Sequence, residues 1–115
     1  MKKPTVYGIP NCDSVKKART WLTEHALEYE FHDFKKQGVP EQHLQRWLQS
    51  CGWELVLNRK GTTWRKLDGA TQAAVVDSPS AAQLMQEQAS VIKRPVIEWP
   101  SGAITIGYVP EQWPA

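Results

Sequence analysis

The side chains of this 115-residue chain best suited to chemistry are two cysteines, Cys12 and Cys51, and three histidines, His25, His32 and His43. No pair among them has the spacing of a metal-ligand motif, so no metal site is expected. Cys12 lies in IPNCDSV, residues 9–15, between a β-rich run and a helix-like run. Three roles are open to it: a buried structural thiol, half of a redox pair, or a nucleophile working alone. At the first turn of a helix the unpaired N–H groups and the macrodipole favour an anion. A thiolate is an anion and is also the reactive form, so a cysteine placed there should have a depressed pKa and act as a nucleophile. The bland alternative is a small apolar residue closing a turn. A dithiol motif would need a second cysteine one turn on, where Val15 stands. Cys51 ends a second helical run beside Leu44, Trp47 and Leu48, and is expected to pack in the core.

The elements that must position Cys12 are legible as changes of period. PTVYGI, residues 4–9, reads as a first strand. From Asp13 the period becomes helical, with Val15, Ala18, Leu22 and Ala26 on one apolar stripe and Lys16, Lys17 and Glu24 elsewhere on the surface. Asn11 is the expected N-cap. LEYEFHDF, residues 27–34, alternates Leu27, Tyr29 and Phe31 against Glu28, Glu30 and His32, which predicts a half-exposed strand at a sheet edge. Strand, helix and strand in succession make a right-handed βαβ unit. Pro40 suits the first turn of the next helix, and Gly52 stops it. Residues 53–69 are ambiguous around an NRKG turn. Residues 70–76 and 79–90 read as helices, the second capped by Ser78 or Ser80. PVIEW, a PSG turn and AITIGY then predict an antiparallel hairpin. The order predicts an α/β chain with a mixed sheet.

Size and composition bound the rest. A chain of this length predicts one domain with one core. Hydrophobic residues at 41% and charged residues at 23% are ordinary for a globular protein, and the six tryptophans are expected in the core and at its margins. A formal net charge of +2 does not argue for direct nucleic-acid binding. MKKPTVYGIP has no apolar segment of a signal peptide, and no run approaches the ~20 apolar residues of a membrane span, so a cytoplasmic protein without membrane contact is expected. In a reducing compartment Cys12 and Cys51 are not expected to form a stable disulfide.

YGIPNCDSVKKA near the start, LNRKG in the middle and KRPVI near the end resemble the ArsC/Spx family over essentially the whole chain, most closely its YffB-like branch. The resemblance implies a thioredoxin-like fold with a mixed β-sheet and an inserted helical subdomain: one ArsC-like domain over residues 1–115, with a core of about 1–38 and 91–115 and an insertion of about 39–90. It also implies roles. Cys12 matches the nucleophile. Arg94 matches an arginine before a cis-proline, and Pro95 matches that proline. Arg59 matches a second arginine facing the same site, with Lys60 beside it as a lesser contact. Asn11 and Ser14 match polar positions flanking the thiol. Without the resemblance, Arg59 and Arg94 would read as solvated surface charges. Guanidinium groups suit such roles, because they stay charged and present planar donor pairs to carboxylates and oxyanions.

The activity these features imply is that of a monothiol oxidoreductase, a glutathione-dependent thiol/disulfide reductase working through a mixed disulfide on Cys12. Glutathione is the expected co-substrate, no cofactor is expected to be tightly bound, and glutaredoxin or an oxidised protein or small molecule is the expected partner. An alternative is arsenate reduction linked to glutathione and glutaredoxin. Arsenate reductases of the family carry a third arginine near the last strand, whereas here that stretch reads ITIGYVPE and no arginine follows Arg94. An alternative of another class is a Spx-like regulator that binds the C-terminal domain of the RNA polymerase alpha subunit. The redox switch of such regulators commonly uses a CxxC pair, which Val15 removes.

Overall fold

The computed structural model describes residues 3–114. In chain order its elements are β1 (Thr5–Gly8), α1 (Asp13–Glu24), β2 (Glu30–Asp33), α2 (Phe34–Gln37), α3 (Glu41–Cys51), α4 (Trp53–Val56), α5 (Thr62–Arg65), α6 (Gly69–Ala73), α7 (Ser78–Glu87), β3 (Val96–Glu98) and β4 (Ile104–Ile106). Short 3₁₀ turns cover Ala89–Val91 and Pro110–Gln112. The chain divides into two compact units, Met1–Gln37 with Arg94–Ala115, and Gly38–Lys93.

The first unit is built on a four-stranded sheet of order β2-β1-β3-β4. β1 pairs with β2 in parallel, and β3 is antiparallel to both β1 and β4. This mixed sheet with a βαβ start is the thioredoxin-like arrangement. β2 lies at an edge, as its polar alternation requires. Val6 and Ile97, paired across β1 and β3, meet Ala18 and Leu22 of α1 together with Trp99 and Trp113. Leu22 is fully buried, which contributes about 1.5–3 kcal/mol relative to leaving it exposed. The ring of Trp113 meets Trp21 edge-on at 5.0 Å and Tyr108 at 5.5 Å. Trp113 therefore closes this core. The Tyr7 hydroxyl donates to the buried Glu98 carboxylate at 2.9 Å.

Helix α1 and strand β2 both stop short of their expected ends, for identifiable reasons. Ala26 takes a left-handed conformation (φ 57°), its N–H bonds the Thr23 carbonyl at 3.1 Å, and the Leu27 N–H bonds that of Leu22 at 2.9 Å. This is a Schellman closure, and it leaves Ala26 exposed rather than on the apolar stripe. At the other end of β2, Asp33 Oδ1 accepts from the Lys35 N–H at 2.9 Å, and the Asp33 N–H donates to Gln37 Oε1 at 3.2 Å. These reciprocal bonds start α2 at Phe34, so the strand expected over 27–34 is confined to Glu30–Asp33.

The second unit is helical. Leu44, Trp47 and Leu48 form the buried stripe of α3, and Gly52 (φ 87°) ends that helix. Pro40 is its N-cap, one residue before the helix. Cys51, expected in the core, is only partly buried, because it occupies the last turn beyond that stripe. α7 packs against α3 and α4 through Ala81, Ala82, Leu84 and Met85. Its cap is Asp77, not Ser78 or Ser80. The Asp77 carboxylate accepts from the Ser80 N–H at 3.0 Å, and Ser80 Oγ accepts from the Asp77 N–H at 3.1 Å. This capping box uses the expected serine as the reciprocal partner. The helix expected over 79–90 ends at Glu87, and the one expected over 70–76 spans Gly69–Ala73. Leu57 and Ile92 form an isolated antiparallel bridge.

Candidate active site

The sheet presents the end of β1 to the start of α1 across four residues, Ile9 to Cys12. Gly8 makes that short connection fit. A Cβ there would lie 2.7 Å from Val15 Cγ2, so strand and helix approach closer than any larger residue permits. Cys12, rather than Asn11, is the N-cap. Its backbone is extended (φ −142°, ψ 126°), and its carbonyl accepts the first helical bond, from the Lys16 N–H at 2.9 Å. The helix starts at Asp13, where the period changes, and its cap lies one residue later than expected. Asn11 lies exposed one residue before the thiol.

The Cys12 thiol is partly buried. Burial pushes its pKa up, and it is nevertheless held below the ordinary thiol value. The Val15 N–H, a hydrogen bond from the Arg94 side chain, the positive charge of that same guanidinium, and the Ser14 N–H outweigh burial. The thiol makes no hydrogen bond of ordinary capping geometry. The two amides act on the large, diffuse sulfur charge rather than as partners of a compact cap oxygen. The combination fits a thiolate at a helix N-terminus beside an arginine.

Arg94 reaches this place because it precedes β3, whose Val96 pairs with Tyr7 of β1. The Arg94–Pro95 peptide bond is cis, as the resemblance implies, and Pro95 is fully buried. The structure thus brings together Cys12, Ser14 and Arg94, with Pro95 joined to Arg94. Val15 is a participant that the sequence reading missed. Its side chain excludes a dithiol, whereas its backbone N–H is one of the donors that lower the thiol pKa. Its place in the first turn of α1 was the available signal. Arg59 and Lys60 belong to the second unit. There the Arg59 guanidinium lies 3.8 Å from Glu54 and 5.8 Å from the Trp53 ring centroid, and Lys60 is exposed in the adjoining turn. The Cys51 thiol is pushed up by burial, with a partial offset from the Ser50 side chain.

Among the described residues no group of three or more His, Cys, Asp or Glu side chains is arranged to hold a metal ion. Likewise, no helix among them is long and apolar enough to cross a membrane.

A thioredoxin-like sheet with a cysteine where β1 passes into α1 defines the class. The family model of the ArsC family matches residues 7–115, and the chain belongs to that family. A solved structure named YffB protein is 50% identical to the chain, covers 95% of it and 94% of its own length, and superposes with a TM-score of 0.88. The solution structure of an arsenate reductase (ArsC) related protein from Brucella melitensis is 46% identical, covers 96% of this chain and 90% of that one, and has a TM-score of 0.75. The global transcriptional regulator Spx of Streptococcus agalactiae is 27% identical over 95 residues, which are 81% of this chain and 68% of that protein.

Proposed function

We propose that this protein is a glutathione-dependent thiol/disulfide reductase that uses Cys12 alone. The observation that carries the reading is the placement of Cys12 at the start of α1 with the Val15 and Ser14 amides and the Arg94 side chain around its sulfur, which lower its pKa against the effect of burial. The Cys12 thiolate attacks one sulfur of a disulfide RSSR. A Cys12–S–S–R bond forms, the substrate S–S bond breaks, and one RS⁻ leaves. A glutathione thiolate then attacks the Cys12 sulfur, the second RS⁻ leaves, and a Cys12–glutathione mixed disulfide forms. A second glutathione thiolate attacks its glutathione sulfur, which releases Cys12 as thiolate together with glutathione disulfide, so two glutathiones are oxidised for each disulfide reduced. A scheme of this kind needs one protein cysteine. Val15 at the position of a second thiol is consistent with it.

Arg94 serves first the leaving or attacking sulfur and then the carboxylate of a bound glutathione, for which its planar fork is suited. Pro95, Asn11 and Ser14 supply the surrounding wall and polar contacts. Glutaredoxin or an oxidised protein or small molecule is the partner, in the cytoplasm. Mass spectrometry after exposure to glutathione disulfide tests this. One glutathione adduct on Cys12, absent from Cys12→Ser and reversed by glutathione, is expected. A parent protein that stays unmodified at Cys12 refutes it.

Arsenate reduction is favoured by the relation to the arsenate reductase-related protein from Brucella melitensis. It predicts arsenite release that depends on glutathione and glutaredoxin. The absence of any arginine after Arg94 leaves one donor fork fewer for the oxyanion, and absence of turnover with arsenate would remove that reading. The likeness to Spx favours an adaptor that binds the RNA polymerase alpha C-terminal domain. A pull-down with that domain, retained by Cys12→Ser, is what an adaptor requires.

A further inference from the structure

Arg94 lowers the thiol pKa only if its backbone is held in place; Lys93 before it is held by its N–H on the Val56 carbonyl at 2.8 Å, whereas the proline after it offers few means of holding it. Pro95 has no N–H to donate. Regular pairing of β3 begins one residue later, where Val96 lies between Tyr7 of β1 and Ile106 of β4. Pro95 does have a carbonyl, and that carbonyl accepts a hydrogen bond from the Gly107 N–H at 2.8 Å. The bond carries the β3–β4 ladder one residue past the strand, to the residue attached to Arg94. Gly107 is buried and has a φ of 87°, in the left-handed region that L side chains avoid.

We propose that Gly107 is a positioning residue for the Cys12 site: its left-handed backbone keeps its N–H on the Pro95 carbonyl and thereby sets where the Arg94 guanidinium meets the sulfur. The proposal rests on the reading of Cys12 and Arg94 as reactive thiol and partner. The plainer role for Gly107 is to end β4, and the two roles differ in what they perturb. A strand-ending glycine changes the stability of the fold. A positioning glycine changes the ionisation of a cysteine 95 positions away in sequence.

The test measures the rate of iodoacetamide alkylation of Cys12 against pH, in Cys51→Ser protein so that one thiol reports. The variants are Gly107→Ala, Gly107→Asn, Arg94→Gln and the Gly107→Ala/Arg94→Gln pair, with folded fraction checked by circular dichroism. Gly107→Ala is expected to slow alkylation by at least about threefold on the rising limb of the parent's pH profile. Asn tolerates the left-handed region better than Ala, so Gly107→Asn falls between Ala and the parent. If the Ala variant does not fold, the Asn variant carries the same comparison. Adding Gly107→Ala to Arg94→Gln should slow alkylation little further, because the guanidinium it positions is already gone. A lowered melting temperature with an unchanged pH profile overturns the proposal, as does a full additional effect in the double variant. An unchanged profile in Arg94→Gln refutes the reading of the site itself. A changed profile in Arg94→Gln but not in the Gly107 variants refutes the positioning role alone.

Discussion

Replacing Arg94 with glutamine separates the charge of the guanidinium from its shape. Glutamine can still donate an N–H toward Cys12, but it carries no charge. In the parent, burial raises the thiol pKa, and the Val15 amide, Arg94 and the Ser14 amide together reverse that effect. A hydrogen bond to a charged partner contributes roughly 1.5–3 kcal/mol. Cys12 is partly exposed, so solvent screens the interaction, and about 1 kcal/mol is the appropriate figure. Losing it reduces the thiolate population about fivefold at any pH well below the pKa. The pH profile of alkylation should therefore move to higher pH, with a rate low on its rising limb about fivefold below the parent and an unchanged plateau in alkali. Arg94→Lys keeps the charge but loses the planar fork, and its profile should lie between the two. An Arg94→Gln profile that superimposes on the parent would show that the two amides alone hold the thiolate. The role given to Arg94 would then fall.

Three further outcomes follow from the same geometry. At neutral pH limiting iodoacetamide should label Cys12 well before Cys51, since one thiol pKa is lowered and the other raised by burial; peptide mapping that finds Cys51 labelled first would contradict this. A folded-state thiol pKa below the unfolded one contributes stability above the unfolded value of about 8.5 and loses it as pH falls through the folded value. Urea unfolding of the parent should therefore gain stability over Cys12→Ser as pH rises through that window, and parallel curves would refute it. Gly8→Ala places a methyl 2.7 Å from Val15 Cγ2, an overpacking that costs about 1–3 kcal/mol. Its melting temperature should fall by about 4–12 °C, and Val15→Ala in the same chain should restore part of it; an unchanged melting temperature would mean that the strand and helix can separate freely.

The fold was legible where the hydrophobic period was strong. Val15, Ala18 and Leu22 announced α1, Leu44, Trp47 and Leu48 announced α3, and the polar alternation of β2 announced an edge. What was not legible were ends decided by local hydrogen bonds. Ala26 closes α1 in a conformation usually left to glycine, so no residue type marked the boundary. Asp33 turns the last strand residue into the start of a helix through side-chain bonds to Lys35 and Gln37. Asp77 lies outside the expected helix, and its role as cap shows only when Ser80 answers it.

The candidate site divides along the same line. Cys12 could be assigned from its neighbours, because a helix start is a local event and its electrostatic consequence is local too. Arg94 could not, because nothing in KRPVI states that β3 will lie antiparallel to β1 and bring the residue two before it beside Cys12. Resemblance supplied that arginine, and the register of Val96 with Tyr7 supplies the physical reason. Val15 was hidden in a different way. A residue is read from sequence by its side chain, and the Val15 side chain says core packing, which is correct. Its contribution to the thiolate comes from the peptide N–H that almost every residue carries. The same holds for Gly107, whose N–H bonds the Pro95 carbonyl. The donors around Cys12 are therefore partly independent of side-chain identity. Substitutions should disturb them through backbone geometry first, which is why the glycines at positions 8 and 107 are sharper probes of this thiol than most polar side chains on its rim.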